Sequence, residues 1–194
     1  MDAILFSSRS DEWETPPDIY NSIHEEFNFQ IDLAATAGNT KCASFFSRDD
    51  DALLQSWHTK ARRGWLNPPY SRKLSKAFIR KAAEERLLGF MTVMLIPART
   101  DTRVFHECIY DTMTWTPRDG VEIRLLAGRV RFLDDCGVAG NAAPFPSMIV
   151  IFRPATIMPH TKQQQNVRTY ASPSSSRWLH RFHSFTRMNK RRKE

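Results

Sequence analysis

The tetrapeptide Asn67-Pro68-Pro69-Tyr70 combines residue types that suit chemistry on a planar amino group. Proline has no backbone N–H, so the paired prolines leave carbonyl groups that need not join a sheet ladder. The side-chain oxygen of Asn67 and the carbonyl oxygen of Pro68 can accept hydrogen bonds from an amine, while the Tyr70 ring lies flat against the ring that carries it. Such hydrogen bonds localise the lone pair and stabilise the charge that develops on nitrogen. The pattern indicates methyl transfer to an exocyclic amine or an amide.

Asn-Pro and Pro-Pro pairs are also ordinary loop punctuation, so the flanking residues must decide between a site and a loop. A short apolar run at 64–66 precedes the tetrapeptide and a helical pattern follows it, which places it where a strand ends. Ligands of open α/β sheets bind at the carboxyl ends of strands. The residues that follow directly include five bases that favour a polyanionic substrate: Arg72, Lys73, Lys76, Arg80 and Lys81.

Strand and helix patterns alternate around the tetrapeptide, which predicts an α/β fold with a layered sheet. Residues 90–96 form a continuous apolar run, typical of a strand that is buried on both faces. The first helix is predicted over 15–27, with Thr15 as its N-cap and two prolines in its first turn. The other predicted strands are 29–34, 63–66, 123–126, 130–132 and 148–152. Helical turns are predicted over 52–57 and an irregular region over 35–50. A helix is predicted over 74–87, with Leu74, Ala77, Phe78 and Ala82 on one face.

Length and composition predict one folded domain at 1–154 and a basic tail at 155–194. The 194 residues are 41% hydrophobic, enough for a self-standing core. No apolar run approaches the roughly 20 residues of a membrane-spanning helix, and the first residues lack a signal-peptide pattern. Three widely separated cysteines give neither a disulfide framework nor a zinc spacing. We therefore expect a cytoplasmic protein that uses no metal and binds no membrane.

The net charge of +7 is concentrated in the tail. Nine of the 28 basic residues but one of the 21 acidic residues lie at 155–194, so the preceding residues are nearly neutral overall. Such a tail is typical of a nucleic-acid contact or of a solvated extension. Within it, 163–165 and 172–176 are low-complexity sequence, and 177–189 has the pattern of a short basic amphipathic helix.

Further short motifs stand in a fixed order around the tetrapeptide. Those that precede the tetrapeptide are Trp13-Glu14-Thr15-Pro16, Asp32-Leu33-Ala34-Ala35, and Asp51-Ala52-Leu53 followed by Trp57. Those that follow it are residues 95–100, 128–132 and 144–147. Taken together over residues 11–153, these motifs resemble the phage-type DNA N6-adenine methyltransferases, the phage Dam family.

The resemblance implies the Rossmann-like fold of S-adenosylmethionine-dependent methyltransferases, with three αβα layers around a mostly parallel sheet. It implies S-adenosylmethionine as the methyl donor and an adenine of double-stranded DNA as the acceptor. Thr15 and Pro16 match the segment beside the donor's methionine moiety, where a hydroxyl and free N–H groups suit a carboxylate. Asp32 matches the acid that pairs with the donor's ammonium group, and Asp51 matches one that accepts from the donor's adenine amine.

One departure from the family's pattern falls after the first predicted strand. Many methyltransferases have a Gly-x-Gly turn there, which lets the backbone approach the donor, whereas this chain has Ala34-Ala35-Thr36-Ala37-Gly38-Asn39. Small residues still permit close approach, so we expect Ala34 to contact the donor. Asp49 and Asp50 adjoin Asp51 and are alternative partners for the donor's adenine.

The resemblance also implies that Asn67, Pro68, Pro69 and Tyr70 form the catalytic site, with direct transfer to adenine N6 and no covalent intermediate. A base in duplex DNA must be flipped out to reach such a site. Candidate DNA contacts are Arg72, Lys73, Arg99, Arg103, Arg129 and Arg131. We expect Trp115 and residues 116–120 to form an exposed loop that reads the target.

Two alternatives stay open. The same tetrapeptide chemistry suits an adenine of RNA or a glutamine amide of a protein, because both nitrogens have a delocalised lone pair. A DNA-binding homologue without activity would keep the same fold. For an enzyme encoded by a phage or prophage, we expect action in the host cytoplasm, where the mark either protects viral DNA from restriction or regulates it.

Overall fold

A computed structural model of the chain describes residues 13–134 and 137–155. Its strands are β1 (Ile31–Asp32), β2 (Ser44–Phe45), β3 (Arg63–Leu66), β4 (Met91–Pro97), β5 (Tyr110–Asp111), β6 (Thr116–Pro117), β7 (Val121–Leu125) and β8 (Ser147–Phe152). Its helices are α1 (Pro17–Phe27), α2 (Trp57–Lys60), α3 (Arg72–Glu85) and α4 (Arg103–Cys108), with a 3-10 turn at Arg86–Leu88.

One sheet contains six strands in the order β2-β1-β3-β4-β8-β7. β1 pairs in parallel with β2 and β3, and β3 pairs in parallel with β4, where Leu66 lies opposite Met94. β8 is antiparallel to both of its neighbours, so β7 runs in the same direction as β4. The mostly parallel sheet confirms the predicted fold class.

Both faces of this sheet are covered. On one face, α1 packs with Val93 and Leu95 of β4; on the other, α3 and α4 pack with Met94 and Ile96. Successive side chains of a strand point to opposite faces. A strand covered on both faces therefore has to be apolar throughout, which explains the continuous run that predicted β4.

Gly64 in β3 allows the layers to approach each other closely. A Cβ atom at Gly64 would lie 2.8 Å from Cζ of Phe90 and 2.9 Å from Cδ1 of Leu33. Both neighbours are fully buried, so neither has room to withdraw. A residue without a side chain is required here, directly before the tetrapeptide that follows β3.

Several predicted elements differ in extent. The strand predicted over 29–34 is reduced to β1, although the Leu33 N–H still donates to the Trp65 carbonyl at 2.9 Å. Residues 130–132 form no strand, because their carbonyls accept hydrogen bonds from Ala143 and Gly140 across an irregular loop. The region predicted to be irregular, 35–50, contains the short strand β2.

The two long helices begin at residues other than those predicted. α1 begins at Pro17 and has Pro16 at its N-cap position, without a side-chain cap, so the prediction of Thr15 as the cap is wrong. α3 begins at Arg72, because the Ser71 hydroxyl accepts a hydrogen bond from the Leu74 N–H at 3.4 Å. Leu74, predicted to share a helical face with Phe78 and Ala82, is exposed at 38% of its surface, whereas those two are buried. The turns predicted over 52–57 end where α2 begins.

The loop that contains Trp115 is exposed, as predicted, and leads into β7. Val121 at the start of β7 and Thr92 at the start of β4 both lie opposite Phe152 of β8. The loop therefore enters the sheet at the amino ends of the parallel strands, whereas the tetrapeptide follows the carboxyl end of β3. The expected role in target reading does not fit this position.

Among the described residues, no helix is both long and apolar enough to cross a membrane. Residues 156–194 lie outside the described part of the chain, and with them the amphipathic helix predicted over 177–189. The division into a domain at 1–154 and a tail at 155–194 stays a prediction.

Candidate active site

A cavity of about 650 Å³ opens at the carboxyl ends of β1 and β3. Four segments of the chain contribute to its wall: residues 13–15 ahead of α1, the turn after β1, the turn at 46–53, and the tetrapeptide with the start of α3. Ligands of open α/β sheets bind at this edge. Most of the residues predicted for catalysis and donor binding line this cavity.

Asn67 is held at both ends of its side-chain amide. Its Oδ1 accepts a hydrogen bond from the Tyr70 hydroxyl at 2.8 Å, and its Nδ2 donates to the Trp13 carbonyl. A carbonyl oxygen has two lone pairs, so Oδ1 keeps the capacity to accept a second hydrogen bond. Pro68 and Pro69 line the cavity beside it. This loop can therefore present an oriented acceptor to an incoming amine.

Tyr70 is buried, with 4% of its surface exposed. Its ring makes edge contacts with Phe132 and Phe145, at centroid distances of 5.8 and 5.5 Å. Burial raises the pKa of Tyr70 well above its usual value, so the hydroxyl stays protonated and donates. The Tyr70 ring does not line the cavity, and its position flat against the acceptor ring stays a prediction.

Asp32 lies in the cavity wall and is 3% exposed. Its carboxylate accepts hydrogen bonds from the Ala34 N–H at 3.3 Å and from the Lys41 N–H at 3.1 Å. Burial nevertheless raises the pKa of Asp32 to about 6. No side chain in the described ranges forms an ion pair with it. A desolvated carboxylate of this kind favours a cationic ligand.

Thr15 is the second buried polar residue of the wall. It is 2% exposed, and its hydroxyl has no hydrogen-bond partner within the described residues. Because buried hydroxyl groups are normally hydrogen-bonded, an unpartnered one at a cavity indicates a ligand contact. Pro16, predicted beside it as a donor contact, is not part of the lining. It takes the N-cap position of α1.

An ion pair that the sequence did not reveal closes one side of the cavity. The Nζ atom of Lys41 lies 2.6 Å from Oε1 of Glu14, and both side chains are largely buried. Both residues line the cavity near Asp32 and Thr15. Opposite charges at one end of the cavity match the two charges of an amino-acid zwitterion.

Of the three adjacent acids at 49–51, only Asp51 lines the cavity. Its Oδ1 accepts from the Leu53 N–H at 3.2 Å, and its backbone adopts φ 45°. Asp50 instead binds Ser47 within the turn, with its Oδ2 2.6 Å from the hydroxyl.

The walls on this side are mainly apolar and suit a flat ring: Phe46, Leu53, Leu74 and Phe78. Ala34 and Ala35, which replace the Gly-x-Gly turn, also line the cavity.

The predicted DNA contacts separate into two groups. Arg72 and Arg99 line a second cavity of about 430 Å³ beside the tetrapeptide, and Nη1 of Arg99 donates to the Tyr70 carbonyl at 3.4 Å. Lys73 is exposed on the first turn of α3. The others lie apart: Arg103 pairs with Glu107 on α4, Arg129 donates to the Ala143 carbonyl, and Arg131 is exposed in the loop at 126–146.

Comparison with known proteins places these features in a family context. Residues 3–174 match the family model described as DNA N-6-adenine-methyltransferase (Dam). The chain is 30% identical over 152 residues to the DNA N-6-adenine-methyltransferase of Haemophilus phage HP1 (strain HP1c1), covering 76% of this chain and 81% of that protein. It is 34% identical over 98 residues to the protein of the same description from Escherichia phage T1, covering 50% of this chain and 40% of that protein.

Proposed function

The chain belongs to the DNA N-6-adenine-methyltransferase (Dam) family, as its resemblance predicted, and from this premise we propose its reaction in detail. It is a DNA adenine methyltransferase that takes the methyl group of S-adenosylmethionine and transfers it to N6 of an adenine in double-stranded DNA. The observation that carries the proposal is the Asn67 side-chain amide, oriented by two hydrogen bonds at the mouth of the cavity.

The cavity residues fit S-adenosylmethionine as the donor. The buried Asp32 carboxylate, which lines the cavity, suits the donor's ammonium group. The unpartnered Thr15 hydroxyl and the Lys41 ammonium suit its carboxylate. The apolar walls around Phe46 suit its adenine ring, with Asp51 as an acceptor at the edge. When bound, this cofactor supplies an electrophilic methyl group attached to a sulfonium.

The protein's own residues act on the acceptor amine. Asn67 Oδ1 and the Pro68 carbonyl accept hydrogen bonds from the two hydrogens on N6, which returns the delocalised lone pair to nitrogen. Pro69 has no N–H to compete for these carbonyls. Because the acceptors are fixed before the substrate arrives, little reorganisation is needed during the reaction. Transfer is direct and forms no covalent bond to the protein.

DNA approaches the edge of the sheet that carries the tetrapeptide. Arg72, Lys73 and Arg99 surround this edge and provide positive charge for the backbone phosphates. The target adenine leaves the duplex and enters beside Asn67, because an amine inside the stack cannot reach the loop. We also propose that Arg129 and Arg131 contact DNA from the loop at 126–146. Arg103 is engaged with Glu107 and serves as a weaker candidate.

The named relatives from two phages support a phage or prophage origin, with action in the host cytoplasm. The target is a site-specific or weakly specific adenine sequence, and the mark serves in restriction-modification or in regulation. An adenine of RNA or a glutamine amide is the alternative acceptor, since either can donate two hydrogens to the same carbonyl pair.

The test is a methyl-transfer assay with labelled S-adenosylmethionine. Unmethylated double-stranded DNA, RNA and a release-factor-type protein are compared as acceptors, and products are identified by mass spectrometry of nucleosides or peptides. We expect N6-methyladenine in DNA alone, and a turnover roughly 10²- to 10³-fold lower for Asn67→Ala. Asn21→Ala, exposed on α1 and outside the cavity lining, is the matched control and should keep wild-type turnover. Label in RNA or protein alone would support the alternative acceptor, and binding of donor without transfer would support an inactive homologue.

A further inference from the structure

Helix α3 contributes to two cavities through different sides of its surface. Leu74 and Phe78 line the cavity of about 650 Å³ proposed for the methyl donor, here called the donor cavity. Ser75 and Ile79 line the second cavity. Residues four positions apart share one face of a helix, so each pair marks one face. The second cavity measures about 430 Å³, a size typical of small-ligand sites, and no step of donor binding or methyl transfer uses its interior.

The mouth of the second cavity is positively charged. Arg72 and Lys76 are exposed on the first turns of α3, and the half-buried Arg99 comes from the loop after β4. Among the described residues, Asp101 is the one acid in the lining. None of the three cations forms an ion pair with a residue in the described ranges, so all three are available to an anion. Such a mouth suits a phosphate group of DNA.

The interior of the second cavity combines apolar side chains with a hydroxyl group. Ile79, Ile96, Phe105 and Met148 line it and are buried. Ser75 also lines it with 8% of its surface exposed, and its hydroxyl has no hydrogen-bond partner in the part of the chain that the structure describes. Because a buried hydroxyl is normally hydrogen-bonded, this one indicates a polar atom of a ligand. Apolar walls with one hydroxyl suit the flat faces and polar edge of a nucleobase.

The second cavity lies beside the catalytic loop. Nη1 of Arg99 donates to the carbonyl oxygen of Tyr70 at 3.4 Å, and α3 begins at Arg72, two residues after that tyrosine. Consecutive nucleotides are covalently linked, so a strand with its target adenine at Asn67 has its next nucleotide within reach of this mouth. The exposed loop at Trp115 has no such position, because it enters the sheet at the opposite ends of the parallel strands.

We propose that the second cavity binds the nucleotide next to the target adenine and so reads part of the target sequence. The inference rests on the proposed function. The phosphate lies against Arg72, Lys76 and Arg99, and the base enters the apolar interior, where an atom of its edge bonds the Ser75 hydroxyl. This base leaves the stack as the target adenine does. Specificity at that position then comes from the interior of the cavity.

Ser75→Met tests the proposal because it fills the interior and removes the hydroxyl, while methionine keeps a good helix former in α3. The target adenine is located first, by modification-sensitive sequencing of DNA treated with the wild type. Three duplexes are then compared: the intact target, and targets with an abasic site at the 5′ or the 3′ neighbour of that adenine. The wild type should bind one abasic duplex roughly 5- to 150-fold more weakly than the intact one, as for a lost base contact.

Ser75→Met should bind the intact duplex and that abasic duplex with equal affinity, because its cavity is already filled. The abasic site changes the duplex in the same way for both proteins, so the difference between them isolates the cavity. The variant should also lose the wild type's sequence preference at that neighbouring position. Ser22→Met makes the same substitution at an exposed position of α1, outside both cavities, and should behave as the wild type.

Lys76→Gln tests the phosphate contact at the mouth. It should weaken DNA binding and reduce the slope of log affinity against log salt by about one, as expected for one phosphate contact. Lys60→Gln removes the charge of an exposed lysine on α2, outside the lining of both cavities, and should leave the slope unchanged. An equal slope for Lys76→Gln and the wild type would exclude this phosphate contact.

Thermal unfolding and S-adenosylhomocysteine binding show whether Ser75→Met is folded, and its affinity for this ligand should match the wild type because the donor cavity is separate. If Ser75→Met unfolds, Ser75→Ala replaces it. This smaller change removes only the hydroxyl and should weaken binding of the intact duplex roughly 2- to 10-fold.

Two results with DNA would overturn the inference: a Ser75→Met protein that distinguishes the duplexes as the wild type does, or a wild type that binds all three equally. Free deoxynucleoside monophosphates are titrated as well. Their binding to the wild type but not to Ser75→Met, with equal DNA affinities, would identify a free nucleotide as the occupant and would also overturn it. These failures leave DNA methylation by the wild type intact, whereas a wild type that methylates no DNA would overturn the proposed function.

Discussion

Asp32→Asn removes a buried carboxylate from the cavity wall and nearly preserves the shape of the side chain. Without a ligand, burial raises the pKa of Asp32 from its ordinary value of 3.8 to about 6. A raised acid pKa means that folding favours the protonated form. The contribution of Asp32 to the free energy of unfolding is therefore present in full below pH 4 and is lost as the pH rises to about 6. At about 1.36 kcal/mol per pKa unit, the loss is roughly 3 kcal/mol.

Donor binding should have the opposite pH dependence, because an ammonium group pairs with the ionised form of Asp32. Below pH 6, the affinity for S-adenosylmethionine should fall about tenfold per pH unit, and at pH 5 roughly a tenth of the carboxylate is ionised. Above about pH 8 the donor's own amine loses its proton and affinity should fall again. Removing one partner of a buried charge pair costs about 2–5 kcal/mol, so Asp32→Asn should bind the donor at least roughly 30-fold more weakly at pH 7.

Isothermal titration calorimetry from pH 5 to pH 8 measures the pH dependence of binding and the effect of Asp32→Asn on it. S-adenosylhomocysteine serves as a stable ligand that has the same amino-acid end. Asp18→Asn, in the first turn of α1 and exposed, is the matched control. We expect a pH-independent, weak affinity for Asp32→Asn between pH 5 and pH 7, and wild-type behaviour for the control. A wild-type affinity that does not change between pH 5 and pH 7 would refute the assignment of Asp32 to the ammonium group. So would an Asp32→Asn protein that binds as tightly as the wild type.

Three further predictions concern the elements that position the site. Gly64→Ala places a Cβ atom 2.8 Å from the Phe90 ring and should cost about 1–3 kcal/mol, measured as a lower denaturation midpoint; an unchanged midpoint would contradict the tight packing of β3. Trp57→Phe removes the indole N–H that donates to the buried Ala52 carbonyl, 2.7 Å away, and should lower the free energy of unfolding by about 1–3 kcal/mol. It should also weaken binding of S-adenosylmethionine, because this turn lines the cavity. Thermal unfolding that matches the wild type would refute the prediction. Arg99→Ala should raise KM for DNA and reduce the slope of log affinity against log salt by about one, whereas an unchanged slope would exclude a phosphate contact.

The fold was largely predictable because its strongest signals are local. Residues 90–96 are apolar except for Thr92, and β4 is buried on both faces. The strand predicted at 63–66 matches β3, since the tetrapeptide that follows cannot continue a ladder. The elements that were wrong depend on backbone hydrogen bonds to residues outside the local pattern. Residues 130–132 follow a strand pattern, yet their hydrogen bonds go to Gly140 and Ala143 across the loop.

The candidate site also has some features that the sequence reveals and others that it does not. Asn67, Asp32 and Asp51 were identifiable because residue type and order in the chain are enough to mark them. The orientation of Tyr70 was not, because it depends on Phe132 and Phe145, which no spacing rule connects to it. The Glu14–Lys41 ion pair was missed for a related reason: neither residue has a partner at helical or strand spacing. Thr15 was predicted both as a donor contact and as a helix cap; it lines the cavity, but Pro16 takes the cap position.

The most direct test of the central claim is the nucleoside composition of duplex DNA after incubation with the purified protein and S-adenosylmethionine. We expect N6-methyl-2′-deoxyadenosine that depends on the donor, and an amount of product that falls roughly 10²- to 10³-fold with Asn67→Ala but not with Asn21→Ala. DNA in which adenine stays unmodified would contradict the account. So would a methylated base other than adenine, or an Asn67→Ala protein as active as the wild type.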